Sequence, residues 1–330
     1  MLQWKHITII VLTFILGAAL GYTLHRTFQT QERGFIVREG EYKFISPILA
    51  CEIAQAGSFS ELHSVESALE RVIDKKIADR EVGHLSVYLR LLNSGRWVGI
   101  NEDEEYTPAS LMKVLLMMAF LKEAELKPSA LTQVLQFTDA KEPGQYGPDG
   151  RRVPPLEVGS FYTVSNLIER MAVYSSNAAE HTLLDNVNLP ILEEVFSDLG
   201  LPPPDSQSDN GFYAMSPAKY SLALRVLYGA SYLNREMSEA ALALLSSGAY
   251  EDGIRKGVSE DMTVANKYGI FFEKETGPFE LHDCGIVYYP DHPYLLCVMT
   301  KGTNLSALSS AIADIATTAY TELDQFYQNE

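Results

Sequence analysis

The sequence predicts an α/β fold of the α+β type: one antiparallel sheet flanked by N- and C-terminal helices, an all-helical lobe beside it, and an active site in the cleft between them. Three observations predict it. Strand-like periodicity is confined to two regions, residues 85–100 and residues 262–300. Helical spacing precedes the first region and follows the second, and the long interval between them reads as helices and loops.

Taken in order, residues 7–24 are an apolar run without a formal charge, with Lys5 before it and Arg26 after. That run is just long enough to span a bilayer, and it continues past the small residues Gly17-Ala18-Ala19 that a cleaved signal would use. The expectation is a single-pass membrane anchor, or a signal, over residues 1–30, and either exports the rest of the chain. A connector of 31–60 then leads to a catalytic domain of 61–330, whose helical lobe spans about 107–260. Cys51 follows Ile48-Leu49-Ala50, faintly like a lipid-attachment site, but lies too far from the apolar run to be one.

Residues 61–79 carry apolar side chains at helical spacing (Leu62, Val65, Leu69, Val72, Ile77). Strands at 85–91 and 97–100 follow, joined by the hairpin signal Asn93-Ser94-Gly95. Helical patterns occupy 164–185 and 189–199, then resume after the loop 202–212 and run to Ala249. Residues 141–155, rich in Gly and Pro, read as a surface loop with Tyr146 at its centre. Strands are expected at 263–270, 283–289 and 294–300, the last two joined by Pro290-Asp291-His292-Pro293, and an amphipathic helix at 306–326.

Composition narrows the function classes. The 330 residues are 46% hydrophobic, which is enough for a large core. A net charge of −17 argues against nucleic acid or anionic lipid as a partner. The 7 His show no paired ligand spacing, so neither metal nor other cofactor is expected. The 3 Cys (Cys51, Cys284, Cys297) are too few and too odd for a disulfide framework.

The chemistry centres on Thr107-Pro108-Ala109-Ser110-Leu111-Met112-Lys113 and the apolar run 114–121 behind it. Pro108 keeps the residue before it out of helix and the run beyond favours one, so Ser110 falls at a helix N-terminus. Lys113 lies one turn on, within reach of the Ser110 oxygen. Burial by this helix, apolar nearly all round, would depress the amine's pKa and let it take the serine proton. A single Ser-x-x-Lys is weak evidence, because Ser216-Pro217-Ala218-Lys219 has the same spacing and reads simply as an N-cap followed by Pro.

Two further motifs strengthen the first copy: Tyr174-Ser175-Ser176-Asn177 at an inter-helix turn, and Val264-Ala265-Asn266-Lys267-Tyr268-Gly269 on a strand. In order, the three resemble the Ser-x-x-Lys, Ser-Asp-Asn and Lys-Thr-Gly set of the class A β-lactamases and penicillin-binding proteins. The stretches 106–113, 253–267 and 286–302 look like that family too, and the resemblance covers roughly residues 60–330. It implies a β-lactamase/transpeptidase-like fold and a serine hydrolase forming an acyl-enzyme with β-lactams or with peptidoglycan-peptide ends. By it, Ser110 is the nucleophile, Lys113 its proton acceptor or relay, and Ser175 the donor to the leaving nitrogen. Asn177 holds the substrate's amide side chain, Lys267 attracts its carboxylate, and the N–H groups of Ser110 and of Ile270, just after Gly269, form the oxyanion hole.

The pattern is broken in places. Tyr268 stands where the family has Thr or Ser, which puts carboxylate recognition in doubt; Ser176 for Asp is milder. The family also places a deacylating Glu on a loop between the second and third motifs, and here residues 201–235 contain none, only Asp205 and Asp209. Slow deacylation, or a D-Ala-D-Ala peptidase-like enzyme, follows as an expectation. A non-catalytic wall-binding module is the reading the intact Ser110, Lys113, Ser175 and Lys267 oppose.

Overall fold

The structure, a computed structural model, describes residues 42–46, 62–138, 153–207, 211–272 and 277–328. The predicted span 7–24, Cys51, Tyr146 and Asp209 lie outside the described residues. Among those described, no helix is long and apolar enough to cross a membrane.

The element order is α1 (His63–Ala78), β1 (His84–Leu91), β2 (Trp97–Ile100), a 3-10 turn (Ala109–Leu111) running into α2 (Met112–Leu126), β3 (Val134–Gln136), β4 (Phe161–Thr163), α3 (Val164–Tyr174), α4 (Asn177–Leu184), α5 (Leu189–Asp198), α6 (Pro217–Tyr228), α7 (Arg235–Ser246), β5 (Val264–Phe272), β6 (Phe279–Val287), β7 (Tyr294–Gly302) and α8 (Leu305–Gln328). β1, β2 and β5–β7 form one sheet in the order β2-β1-β7-β6-β5, every pairing antiparallel. This is the α+β architecture expected from the sequence, and β5, the motif-bearing strand, is an edge.

Alternation along the strands divides the core in two. Leu85, Val87, Leu89 and Leu91 of β1, with Leu296 and Val298 of β7, face α1 and α8. They meet Val65 and Leu69 on one helix and Leu308, Ile312, Ile315 and Ala319 on the other, all at helical spacing. The intervening residues Tyr88, Leu295, Cys297 and Met299 point the other way, into the core of the helical lobe. With both faces covered, β7 is apolar almost throughout instead of alternating. α2 is the centre of the lobe: its residues from Lys113 to Leu121 are all buried.

Three differences from the sequence reading have physical causes. β6 begins at Phe279, four residues before the expected strand, because Phe279 to His282 pair both β5 and β7. β3 and β4 form a separate two-stranded sheet of three residues each, too short for period-2 alternation to register. The cysteine reading is corrected for one pair: Cys284 and Cys297 face each other across β6 and β7 and are joined by a disulfide. Part of the expected connector also packs on the domain, where the Lys43, Phe44 and Ile45 N–H groups donate to the Glu239 carboxylate at 2.6, 2.7 and 2.9 Å.

Candidate active site

The turn that carries Ser110 is held from the sheet. Thr107 N–H donates to Glu280 Oε2 at 2.7 Å, and Thr107 O accepts from His282 Nε2 at 3.1 Å. His282 Nδ1 accepts the Thr300 N–H, which leaves Nε2 as the donor. Burial alone would raise the Glu280 carboxyl, but His282, Lys301 and the Thr107 N–H outweigh it and hold the group down at about 2. Ala109 takes a left-handed φ of 49°, a conformation that costs an L-residue roughly 1–2 kcal/mol and is kept only where the surroundings impose it. β5 comes close enough to impose it: a Cβ on Gly269 would lie 2.6 Å from Pro108 O.

Beneath this turn the helical lobe delivers two groups to Lys113. α3 ends at Ser175, whose φ of 57° is also left-handed and turns its hydroxyl inward, where it is fully buried. Ser176 caps α4 by accepting the Ala179 N–H, a role any small oxygen-bearing side chain fills, so the missing Asp costs little here. Lys113 is 1% exposed, and its Nζ donates to Ser175 O at 2.8 Å, to Asn177 Oδ1 at 2.7 Å and to Ser175 Oγ at 3.3 Å. A carboxylate is also present that the sequence reading did not single out: Glu180 Oε2 lies 3.3 Å from the same Nζ.

From the sheet comes Lys267, 2% exposed, whose Nζ donates to Ser175 Oγ at 2.8 Å. Ser175 therefore sits between two lysines, one from each half of the molecule. Tyr268, in place of the family's small hydroxyl residue, is 4% exposed, stacked on Tyr250 with centroids 4.1 Å apart, and has Lys267 Nζ 4.4 Å from its ring centroid. Ile270 is partly buried on the edge strand, where alternate backbone N–H groups point away from the sheet. Asp283, opposite Tyr268 on β6, accepts from Asn266 Nδ2 and the Ile254 N–H. Burial pushes its carboxyl up to about 7, against the opposing pull of those two donors, Arg255 and Lys267.

The structure thus brings Ser175 and Asn177 onto Lys113, one turn along the chain from Ser110, sets Lys267 on the same Ser175 hydroxyl, and places Gly269 against the Ser110 turn. Asp205, one of two acids offered for the missing Glu, is solvent-exposed. Among the described residues no group of three or more His, Cys, Asp or Glu could hold a metal ion. The arrangement joins two buried lysines through one serine hydroxyl, a chain along which a proton can pass.

The family model of the Beta-lactamase enzyme family matches residues 65–323. Beta-lactamase AST-1 of Nocardia asteroides is 28% identical over 217 residues, which cover 60% of this chain and 67% of that protein. Among solved structures, PBP-A aligns with a TM-score of 0.66 at 18% identity, covering 78% of this chain and 96% of its own. A variant of PBP-A has been solved as its acyl-enzyme complex with penicillin-G. A class A beta-lactamase from Mycobacterium abscessus aligns with a TM-score of 0.65 at 21% identity, covering 79% of this chain and 99% of its own. At such identities these structures speak for a shared fold alone.

Proposed function

Because the chain belongs to the beta-lactamase enzyme family, we propose that it is an exported serine hydrolase that opens β-lactams by forming an acyl-enzyme at Ser110. One observation carries the reading: the buried Ser175 hydroxyl is bridged by Lys113 and Lys267 beside the start of the Ser110 helix. In this mechanism Lys113 takes the Ser110 proton as Oγ attacks the lactam carbonyl. The N–H groups of Ser110 and Ile270 receive the oxyanion, each worth ~3 kcal/mol in such sites. Ser175 protonates the leaving nitrogen and is resupplied by Lys113, while Lys267 steers the substrate carboxylate without the small aliphatic hydroxyl that the family has at position 268. Asn177 holds the substrate's amide side chain.

Deacylation is the weak half of the cycle. Residues 201–235 contain no Glu, and the exposed Asp205 is a poor substitute for a buried base. The same feature favours a second reading, a peptidase-like enzyme acting on acyl-D-Ala-D-Ala ends with Lys113 serving both half-reactions. Export rests on the apolar run 7–24, which would leave the catalytic domain outside the membrane, tethered or released. The test is incubation with a fluorescent penicillin followed by gel and peptide mapping. Label on Ser110, lost in Ser110→Ala and kept in Ser216→Ala, supports the reading; label on Ser216, or none, overturns it.

A further inference from the structure

Lys113 has more donors engaged than a base should have. The structure gives its Nζ four oxygen neighbours: the carbonyl and hydroxyl of Ser175, the amide oxygen of Asn177 and the carboxylate of Glu180, at 2.8, 3.3, 2.7 and 3.3 Å. A carbonyl and an amide oxygen can only accept and take two N–H bonds, and the ion pair with the Glu180 carboxylate is one that a charged ammonium makes and a neutral amine does not. Before Lys113 can take the Ser110 proton it must give one up. Of these four atoms, only the Glu180 oxygen is basic enough to receive it. Glu180 is 20% exposed, in the first turn of α4, and so combines contact with the buried lysine and a route to solvent.

Building on the reading of Ser110 as nucleophile, we propose that Glu180, in the helix after the second motif, is the proton partner of Lys113 during acylation. A proton passes from Lys113 Nζ to Glu180, leaving an amine and a carboxylic acid. The amine takes the Ser110 proton as Oγ bonds to the carbonyl carbon. When the C–N bond breaks, Ser175 protonates the nitrogen and recovers a proton from Lys113, and Glu180 returns its own to the amine. The net transfer is from Ser110 to the leaving nitrogen. Glu180 acts through Lys113 and is a positioning residue. Among the described residues, other ionisable groups near the relay include Lys267, across Ser175 Oγ, and Asp283, whose charge acts on Lys267 from β6.

The experiment compares the full-length wild-type protein with Glu180→Gln and Glu180→Asp. Ser110 labelling rates are measured from pH 5 to 10 with a fluorescent penicillin and, separately, with a fluorophosphonate. General-base assistance is typically worth about 10²–10⁴, so Glu180→Gln should label at least ~100-fold more slowly at neutral pH with both probes. Its rate should climb towards the wild-type value at alkaline pH, where hydroxide strips the lysine without help, and Glu180→Asp should restore part of the neutral rate. Wild-type rates in Glu180→Gln, or a loss equal at every pH as from a merely structural contact, would overturn the relay. If only the fluorophosphonate labels the wild type, the substrate class is wrong while the relay is still decided by that probe. If neither labels Ser110, the relay falls as well.

Discussion

Two places in this molecule have the sequence Ser-x-x-Lys, and each serine stands at the head of a helix, yet the structure puts them in opposite circumstances. Ser216 is an N-cap: its Oγ accepts the Lys219 N–H, and the Lys219 side chain, 43% exposed, pairs with Glu105 at the surface. Ser110 enters its helix through a 3-10 turn with a left-handed residue before it, and its lysine is sealed among Ser175, Asn177 and Glu180. Spacing brings a lysine to a serine; what surrounds the lysine decides whether the pair caps a helix or does chemistry.

The largest test of that difference exchanges lysine for arginine at both sites. Lys113→Arg keeps the charge but cannot deprotonate near neutrality, so acylation should fall by about 10²–10⁴ with the fold intact. Lys219→Arg should leave it unchanged. Near-normal labelling of a well-folded Lys113→Arg protein would place the base elsewhere.

Met215, before Ser216, is held by backbone bonds to Tyr106, whereas Thr107 is held by a carboxylate, and that grip titrates. The folded Glu280 carboxyl lies near 2, below the ordinary 4.5, so its stabilisation is complete above about pH 4.5 and is lost as pH falls through about 2. Glu280→Gln should therefore cost about 1–3 kcal/mol at neutral pH, with the gap from wild type closing in thermal melts taken between pH 4.5 and 2. A gap that stays constant with pH would deny the carboxylate that role. Gly269→Ala probes the same turn from β5: a Cβ 2.6 Å from Pro108 O should cost roughly 1–3 kcal/mol and slow Ser110 labelling, and an unaffected rate would mean that the turn yields without consequence. The smallest effect belongs to the other copy, where Ser216→Ala should lower stability by about 0.5–2 kcal/mol in denaturant melts and leave labelling alone.

Those contrasts also mark what could be read beforehand. The helix behind Ser110 is legible because residues 114–121 are apolar on every side, and only a buried helix tolerates that. The edge strand with Lys267 is legible from period and motif, and Ser216 from the Pro that follows it. Glu180 was not, since a glutamate in a first helical turn is ordinary wherever the helix dipole welcomes it, and its meeting with Lys113 depends on how α4 is set against α2. Nor was the Cys284–Cys297 bridge, which exists only once β6 and β7 are in register. Tyr268 could be seen as a departure, but its stacking on Tyr250 needs the fold.

The measurement closest to the central claim is rapid mixing of the protein with a chromogenic cephalosporin, with intact mass and peptide mapping of quenched samples. A burst near one equivalent, an adduct on Ser110 and slow turnover afterwards is the predicted result, because the nucleophile is well equipped while residues 201–235 contain no Glu and Asp205 is exposed. Fast linear turnover without a burst, or an adduct on Ser216, would contradict it.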